Sequence, residues 1–127
     1  MESPEALQPV HFDRVKTPAE LDARLRTTGK PVMLDFYADW CVSCKEMERF
    51  TFSDPRVQAR LAEMLLLRAD VTANDADDKA LLRRFRLFGP PGIIFFDRGG
   101  REIEGLRVIG YQPAEKFVKS LVLAASR

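Results

Sequence analysis

The stretch that decides the fold runs from Pro31 to Lys45 and reads PVMLDFYADWCVSCK, an apolar run that ends at two cysteines. Residues 31–38 are almost continuously apolar over the length of one strand. Such a run is typical of a strand covered on both faces within a parallel α/β sheet. The residues that follow predict a helix from Cys41 to about Phe52. The cysteines therefore lie at the corner where a buried strand turns into a helix.

This corner favours thiol chemistry at Cys41 and Cys44, the two cysteines of the chain. Free backbone N–H groups at a helix N-terminus stabilise an anion, which favours the thiolate of Cys41 and predicts that this residue is the exposed nucleophile. A spacing of three puts Cys44 one turn later, close enough to attack a mixed disulfide formed on Cys41. A structural disulfide gains stability by closing a long loop, and this loop is nearly the shortest possible. The sequence therefore predicts a redox-active pair.

Metal binding is the main alternative use of a cysteine pair at this spacing. A closed zinc site needs four ligands, and the single histidine, His11, lies outside any metal spacing. His11 is instead interpreted as a surface or edge-strand residue. Asp75, Asp77 and Asp78 lack the glycine and the terminal glutamate of an EF-hand, and acidic residues suit the first turn of a helix. Neither zinc nor calcium is therefore predicted.

On both sides of the corner, strand-length apolar runs alternate with capped helical segments. Towards the N-terminus, residues 1–10 are predicted to be a tail or linker and 12–15 a short edge strand. A helix then begins with a Thr17–Glu20 capping box and ends at Gly29. The remaining predicted elements are helix 53–61, strand 64–71, helix 75–85, strand 91–97, a turn at 98–100, a strand near 106–111, and a last helix from Pro113 with Phe117, Val118, Leu121 and Val122 as its buried stripe. This order predicts one α/β domain over residues 11–127, with a central mixed sheet flanked by helices on both faces.

Two acidic residues are candidates for proton handling near the cysteines. Asp35 lies in the middle of the apolar strand, where an unpaired carboxylate is costly to bury. It is interpreted either as a core group paired with Arg68 on the neighbouring strand or, in the interpretation we favour, as a proton-handling group beneath the cysteine pair. Glu48 follows Cys44 by four residues and is predicted to share its helix face, with a solvated surface residue as the alternative. Carboxylates close to Cys41 would oppose its ionisation.

The composition gives no reason to expect nucleic acid or an anionic membrane surface as a partner. The chain has 127 residues, with 20 basic and 19 acidic side chains and a formal net charge of +1. No run reaches the roughly 18 apolar residues that a membrane-spanning helix needs. No signal peptide is visible either. A cytosolic protein and an exported piece of a longer precursor both remain open.

Several separated motifs, in one order and spacing, resemble a known family. A strand, the motif WCVSC at 40–44, a helix, and a later proline before an apolar strand are similar to the thioredoxin superfamily. The stretch from Val32 to Glu48, TFSDP at 51–55 and DVTAND at 70–75 closely resemble the C-terminal periplasmic domains of the DsbD family of thiol:disulfide interchange proteins. The resemblance covers residues 11–126.

This resemblance implies a thiol–disulfide oxidoreductase of thioredoxin fold, with Cys41 and Cys44 as its active pair. It implies that Asp35 and Glu48 hold the pKa of Cys41 high. No nicotinamide, flavin or metal cofactor is expected beyond the disulfide itself. It also implies two partners, the transmembrane domain and the N-terminal periplasmic domain of DsbD. The first would supply reducing equivalents and the second would pass them to disulfide isomerases and cytochrome c maturation proteins.

The resemblance further implies a periplasmic domain of a bacterial inner-membrane protein, without direct lipid contact and monomeric in isolation. Trp40, Pro90 and Pro91 are expected to dock the partner, with Pro91 at the position of the family's cis-proline. Pro90 departs from the family pattern, in which this residue offers both its N–H and its carbonyl to a docked strand. Because proline has no N–H, docking is expected to rely on the carbonyl or on other contacts.

Two other functions remain open at this point. A free-standing thioredoxin-like reductase would use the same cysteine pair, and the gene sequence upstream of Met1 would distinguish it. A metal–thiolate binding module belongs to a different class, and metal analysis of the reduced protein would reveal it.

Overall fold

A computed structural model describes residues 10–127, in which five strands form one mixed sheet with helices on both faces. The predicted tail lies outside the described residues except for Val10, which is half-buried against the core. The strands are β1 (Asp13–Arg14), β2 (Val32–Tyr37), β3 (Leu65–Asp70), β4 (Gly92–Phe96) and β5 (Val108–Ile109). The helices are α1 (Pro18–Thr27), α2 (Val42–Glu46), α3 (Pro55–Leu61), α4 (Ala76–Arg84) and α5 (Ala114–Ala125), and a π-helical turn over Met47–Thr51 continues α2.

The sheet has the strand order β1-β3-β2-β4-β5. β3 runs parallel to both β1 and β2, whereas β4 is antiparallel to β2 and to β5. All six residues of the central strand β2 are buried, which explains the continuous apolar run in the sequence. The predicted α/β fold with a mixed sheet is confirmed.

Helix starts follow the local sequence signals. Thr17 caps α1 and forms the predicted capping box with Glu20. Asp75 and Asp78 form a second capping box at α4, so the acidic cluster there satisfies backbone N–H groups of its own helix. Asp54 is the N-cap of α3, and its side chain accepts a hydrogen bond from the N–H of Arg56.

Two hydrophobic clusters cover the two faces of the sheet. Alternate residues of β2, among them Leu34 and Phe36, pack with residues of α1 and α4 on one face. Met33 packs with residues of α3 and α5 on the other face. Cys41 and Cys44 belong to the first cluster, so the cysteine pair is joined to the core of the domain.

The last helix buries a different stripe from the one predicted. Phe117, Leu121 and Ala124 are buried, and Val118 packs against the same cluster. Val122 is 41% exposed, so its place in the predicted stripe is wrong. Residues spaced by four and then three follow one face of a helix, and that spacing leads from Leu121 to Ala124.

Two further elements differ in detail from the sequence prediction. The single predicted helix from Cys41 to Phe52 starts at Val42, with Cys41 as its cap, and its second half is the π-helical turn. After the turn at 98–100 the chain pairs with β4 through an isolated bridge between Phe96 and Glu102, and β5 follows only at Val108.

Gly100 is the glycine in that turn where a side chain would be costly. Its φ is +85°, and an added Cβ would lie 2.9 Å from the carbonyl oxygen of Leu25. We expect Gly100→Ala to lower the free energy of unfolding by about 1–3 kcal/mol, measured by urea titration. Gly99→Ala is the matched control, because its Cβ would meet only the side chain of Asp97 at 3.4 Å. Equal losses in the two variants would contradict this account.

Candidate active site

The active corner is built by the end of β2 and the first turn of α2. The N–H of Cys41 donates to the carbonyl of Ala38 at 3.1 Å, which closes the turn before the helix. Cys41 is the N-cap, and its Sγ accepts a hydrogen bond from the N–H of Cys44 at 3.2 Å. A hydrogen bond from a backbone N–H is stronger to a thiolate than to a neutral sulfur. The corner thus directs a backbone N–H at the sulfur of Cys41, and the stabilised thiolate at this residue stays a prediction.

The two cysteines form a disulfide, with their Cα atoms 5.3 Å apart. Cys44 Sγ also lies 3.8 Å from the carbonyl oxygen of Phe36 on β2. Cys41 is 5% exposed and Cys44 4%, so the prediction of an exposed Cys41 is wrong for the oxidised form. The reason is that both residues pack into the cluster on the α1 and α4 face. The neighbours Trp40 and Val42 are exposed, which places Cys41 just beneath the protein surface.

Asp35 is buried in the middle of β2, as the sequence predicts. Burial raises the pKa of the Asp35 carboxyl from its ordinary value to about 7, while the charge and hydrogen bonds of Arg68 oppose this rise. The negative charge of Glu48 adds to the increase in the pKa of Asp35. The carboxyl therefore exchanges its proton near neutral pH.

Arg68 joins the two acidic residues. Its Nη2 lies 3.0 Å from Asp35 Oδ2 and 2.6 Å from Glu48 Oε2. The pairing with Asp35 was one of the two interpretations of the sequence, and the register that puts Asp35 beside Arg68 on adjacent parallel strands produces it. The ion pair with Glu48 was missed, because only the tertiary packing brings the turn after α2 over β3. Glu48 is partly buried, with 38% of its side chain exposed.

The predicted docking residues come from two parts of the chain, Trp40 beside Cys41 and the two prolines just before β4, whose Gly92 pairs with Phe36 on β2. Trp40 is 59% exposed, and its ring N–H donates to the carbonyl of Thr72 at 3.1 Å. A cis peptide bond joins Pro90 to Pro91, at the position that the resemblance implies. Phe88, just before this loop, is fully exposed and was not singled out from the sequence. An aromatic residue directly before the loop sequence Gly-Pro-Pro-Gly is the signal that could have identified it.

Within residues 10–127, no group of three or more His, Cys, Asp or Glu side chains is arranged to hold a metal ion. His11 is exposed and its ring contacts the carboxylate of Asp13 at 3.1 Å. Of its two interpretations, surface or edge strand, the structure supports the surface residue, because β1 begins only at Asp13.

A mixed five-stranded sheet with a Cys-x-x-Cys disulfide at a strand-to-helix corner defines the class of thioredoxin-fold disulfide oxidoreductases. The family model of the thioredoxin-like domain matches residues 20–125, and the chain belongs to this family. Within it, the chain belongs with the C-terminal domains of the thiol:disulfide interchange protein DsbD. The solved C-terminal domain of Neisseria meningitidis DsbD is 38% identical in its oxidised form, with a TM-score of 0.70 over 84% of this chain and 90% of that one. Its reduced form is 37% identical, with a TM-score of 0.72 over 86% of this chain and 97% of that one.

A curated full-length relative gives the same result at higher identity. The thiol:disulfide interchange protein DsbD of Ralstonia nicotianae is 61% identical over 115 residues, which cover 88% of this chain. The same match covers 19% of the relative, so this chain spans about a fifth of the DsbD proteins that it matches. The chain is thus a thiol:disulfide interchange domain.

Proposed function

We propose that this chain is the C-terminal exchange domain of a DsbD-type protein and passes reducing equivalents from its transmembrane domain to its N-terminal periplasmic domain. The observation that carries the proposal is the Cys41–Cys44 disulfide at the start of α2, in a chain that resembles DsbD over most of its length. The periplasm is the compartment that this assignment requires. None of the helices in residues 10–127 has the length and hydropathy of a membrane-spanning segment.

The exchange proceeds through one mixed disulfide. In the reduced domain the Cys41 thiolate attacks one sulfur of the partner disulfide, and the other partner sulfur leaves and takes up a proton. Cys44 then loses its proton and attacks Cys41 Sγ, which forms the Cys41–Cys44 disulfide and releases the second partner sulfur. Two electrons and two protons pass from the cysteine pair to the partner. Reduction of this domain by the transmembrane domain is the same sequence in reverse.

Asp35 and Glu48 act on this reaction through their charge and their protons. Both carboxylates oppose ionisation of Cys41 and hold its pKa high, so the thiolate is formed sparingly in the free domain. Asp35 has its pKa near 7 and takes up the proton that Cys44 loses when it attacks. Cys44 Sγ contacts the backbone carbonyl of Phe36, and Asp35 directly precedes Phe36 on β2.

Trp40, Pro90 and Pro91 form the docking site for the partner in this proposal. Trp40 offers an exposed aromatic ring next to Cys41, and rings of this kind are enriched where proteins bind each other. Pro90 contributes its carbonyl but no N–H, so a docked segment gains at most one backbone hydrogen bond at this residue. Apolar contacts of the docked segment with the exposed rings of Trp40 and Phe88 compensate for the N–H that Pro90 lacks.

The partner assignment predicts a preference among protein disulfides. The reduced chain is expected to reduce the oxidised N-terminal domain of Ralstonia nicotianae DsbD at least about tenfold faster than it reduces insulin, because complementary docking raises the association rate. The measurement is the initial rate at equal disulfide concentrations. Equal rates would favour a free-standing general reductase over a DsbD domain, and stoichiometric metal in the reduced chain would favour the metal–thiolate module.

A further inference from the structure

We propose that Arg68 is a positioning residue of the exchange reaction. Its guanidinium holds the carboxylates of Asp35 and Glu48 in place beside α2 and balances their negative charge. Its role in catalysis rests on the function proposed above. Three separate elements contribute to this group, because Arg68 lies on β3, Asp35 on β2 and Glu48 in the π-helical turn. A second bond from Arg68 Nε to Asp35 Oδ2, at 3.3 Å, fixes the plane of the guanidinium.

Two aromatic rings hold the guanidinium in this position. Its central carbon lies 4.2 Å from the ring centre of Phe12 and 4.4 Å from that of Tyr37. The side chain of Arg68 is 16% exposed, so the cation is largely shielded from water. A planar guanidinium suits both ring stacking and a forked contact with carboxylates, and a lysine ammonium suits neither. The site is therefore specific for arginine.

The group held by Arg68 is connected to the residues around Cys44. Lys45, the residue after Cys44, has its ammonium 2.7 Å from the hydroxyl of Tyr37, the ring that stacks on Arg68. Glu48 follows Cys44 by four residues. A change in the charge of this group therefore acts on the helix that carries both sulfurs.

Arg68 affects the protonation of Asp35 through the balance of charge in this site. With Arg68 present, the ionised carboxylates of Asp35 and Glu48 and one guanidinium carry a net charge of −1. Without it, two carboxylates would face each other in a largely buried site, and close carboxylates resist ionising together. Asp35 would then hold its proton to a higher pH.

The other charged groups that face this site are held by partners of their own. Asp70 and Arg14 form an ion pair at 3.7 Å near the end of β3. Lys45 contacts the hydroxyl of Tyr37, which donates to Asp39 at 3.1 Å. Arg68 is thus the cation that contacts both Asp35 and Glu48 directly.

The test compares Arg68→Met with Arg14→Gln in the oxidised chain. Arg14 is paired in register with Arg68 on the adjacent strand, and its side chain is 69% exposed. The pH midpoint of Asp35 is followed by carboxyl ¹³C NMR, which needs no partner protein. Arg68→Met is expected to raise this midpoint by at least about one pH unit, because a nearby opposite charge has been removed. Arg14→Gln is expected to move it by less than about 0.3 units, because exposed charges are screened by solvent.

A second variant and a second readout keep the proposal open to refutation. Arg68→Lys keeps the charge but loses the fork, and we expect a rise in the Asp35 midpoint of about half a unit. The pH dependence of partner reduction should shift in the same direction and order, whereas a purely structural role would change stability alone. If neither Arg68 variant moves the midpoint more than Arg14→Gln does, the proposal is overturned. If the midpoint moves and the chain reduces no protein disulfide, the function proposed above fails instead.

Discussion

Cys41→Ser is expected to abolish the reduction of protein disulfides, with a loss of at least about a thousandfold in rate, because the attacking sulfur is removed. Cys41 is the residue to which the corner gives a stabilising hydrogen bond, from the N–H of Cys44 at 3.2 Å. A serine hydroxyl at the same position stays protonated at neutral pH and does not attack a disulfide. The measurement is the rate of partner reduction by the reduced chain under single-turnover conditions.

Cys44→Ser is the matched control, and it should give a different result. Cys41 can still attack in this variant, but nothing resolves the product, so a mixed disulfide with the partner should accumulate in about one-to-one yield. This complex is visible as a higher band on a non-reducing gel. The comparison is informative because the two residues are almost equally buried, at 5% and 4% exposure, so accessibility does not identify the nucleophile. A stable complex with Cys41→Ser and none with Cys44→Ser would reverse the two roles.

Asp35→Asn is expected to remove a pH dependence of stability from the oxidised chain. The folded protein holds the pKa of Asp35 at about 7, above the ordinary value of 3.8. Between these two pH values the folded state keeps a proton that the unfolded state has lost, so the stability from this group is present below pH 4 and is lost as the pH rises to 7. The wild type should therefore lose at most about 4 kcal/mol over this window relative to Asp35→Asn.

The measurement is urea unfolding of both proteins at several pH values between 4 and 8. Asp22→Asn is the control, because Asp22 is a surface carboxylate whose hydrogen bond with Arg84 lowers its pKa. Its contribution to stability is lost at acidic pH, below the window of Asp35, so its replacement should leave the slope above pH 5 unchanged. A wild-type slope equal to that of Asp35→Asn would show that Asp35 titrates normally.

Asp35→Asn also tests whether the Asp35 carboxylate raises the pKa of Cys41. In the reduced chain, Asp35→Asn should lower the pKa of Cys41 by about half to one unit, because a neighbouring negative charge disappears at alkaline pH. Glu48→Gln should act in the same direction. Thiolate absorbance gives both values, and no shift in either variant would leave the carboxylates as structural groups.

The local sequence was enough to predict the elements that form the fold. The apolar run before Cys41 marked the central strand, and Thr17 with Glu20 marked the start of α1, because capping residues and strand burial depend on neighbours in the chain. The cysteine spacing predicted the redox-active pair, because two cysteines three residues apart at a helix start are close enough to form a disulfide. The burial of Asp35 also followed from its place in the middle of that strand.

Other features depended on contacts between distant parts of the chain. The sequence alone determined that Cys41 and Cys44 meet at a helix start and that Asp35 lies in the core, because both follow from spacing within one strand and one turn. Only the tertiary structure decided that both sulfurs are covered, that Val122 faces solvent, and that Arg68 joins Asp35 to Glu48. These three features depend on strand register and on how the helices pack over the sheet. Both bring together residues that are far apart in the chain, so the local sequence pattern does not determine them.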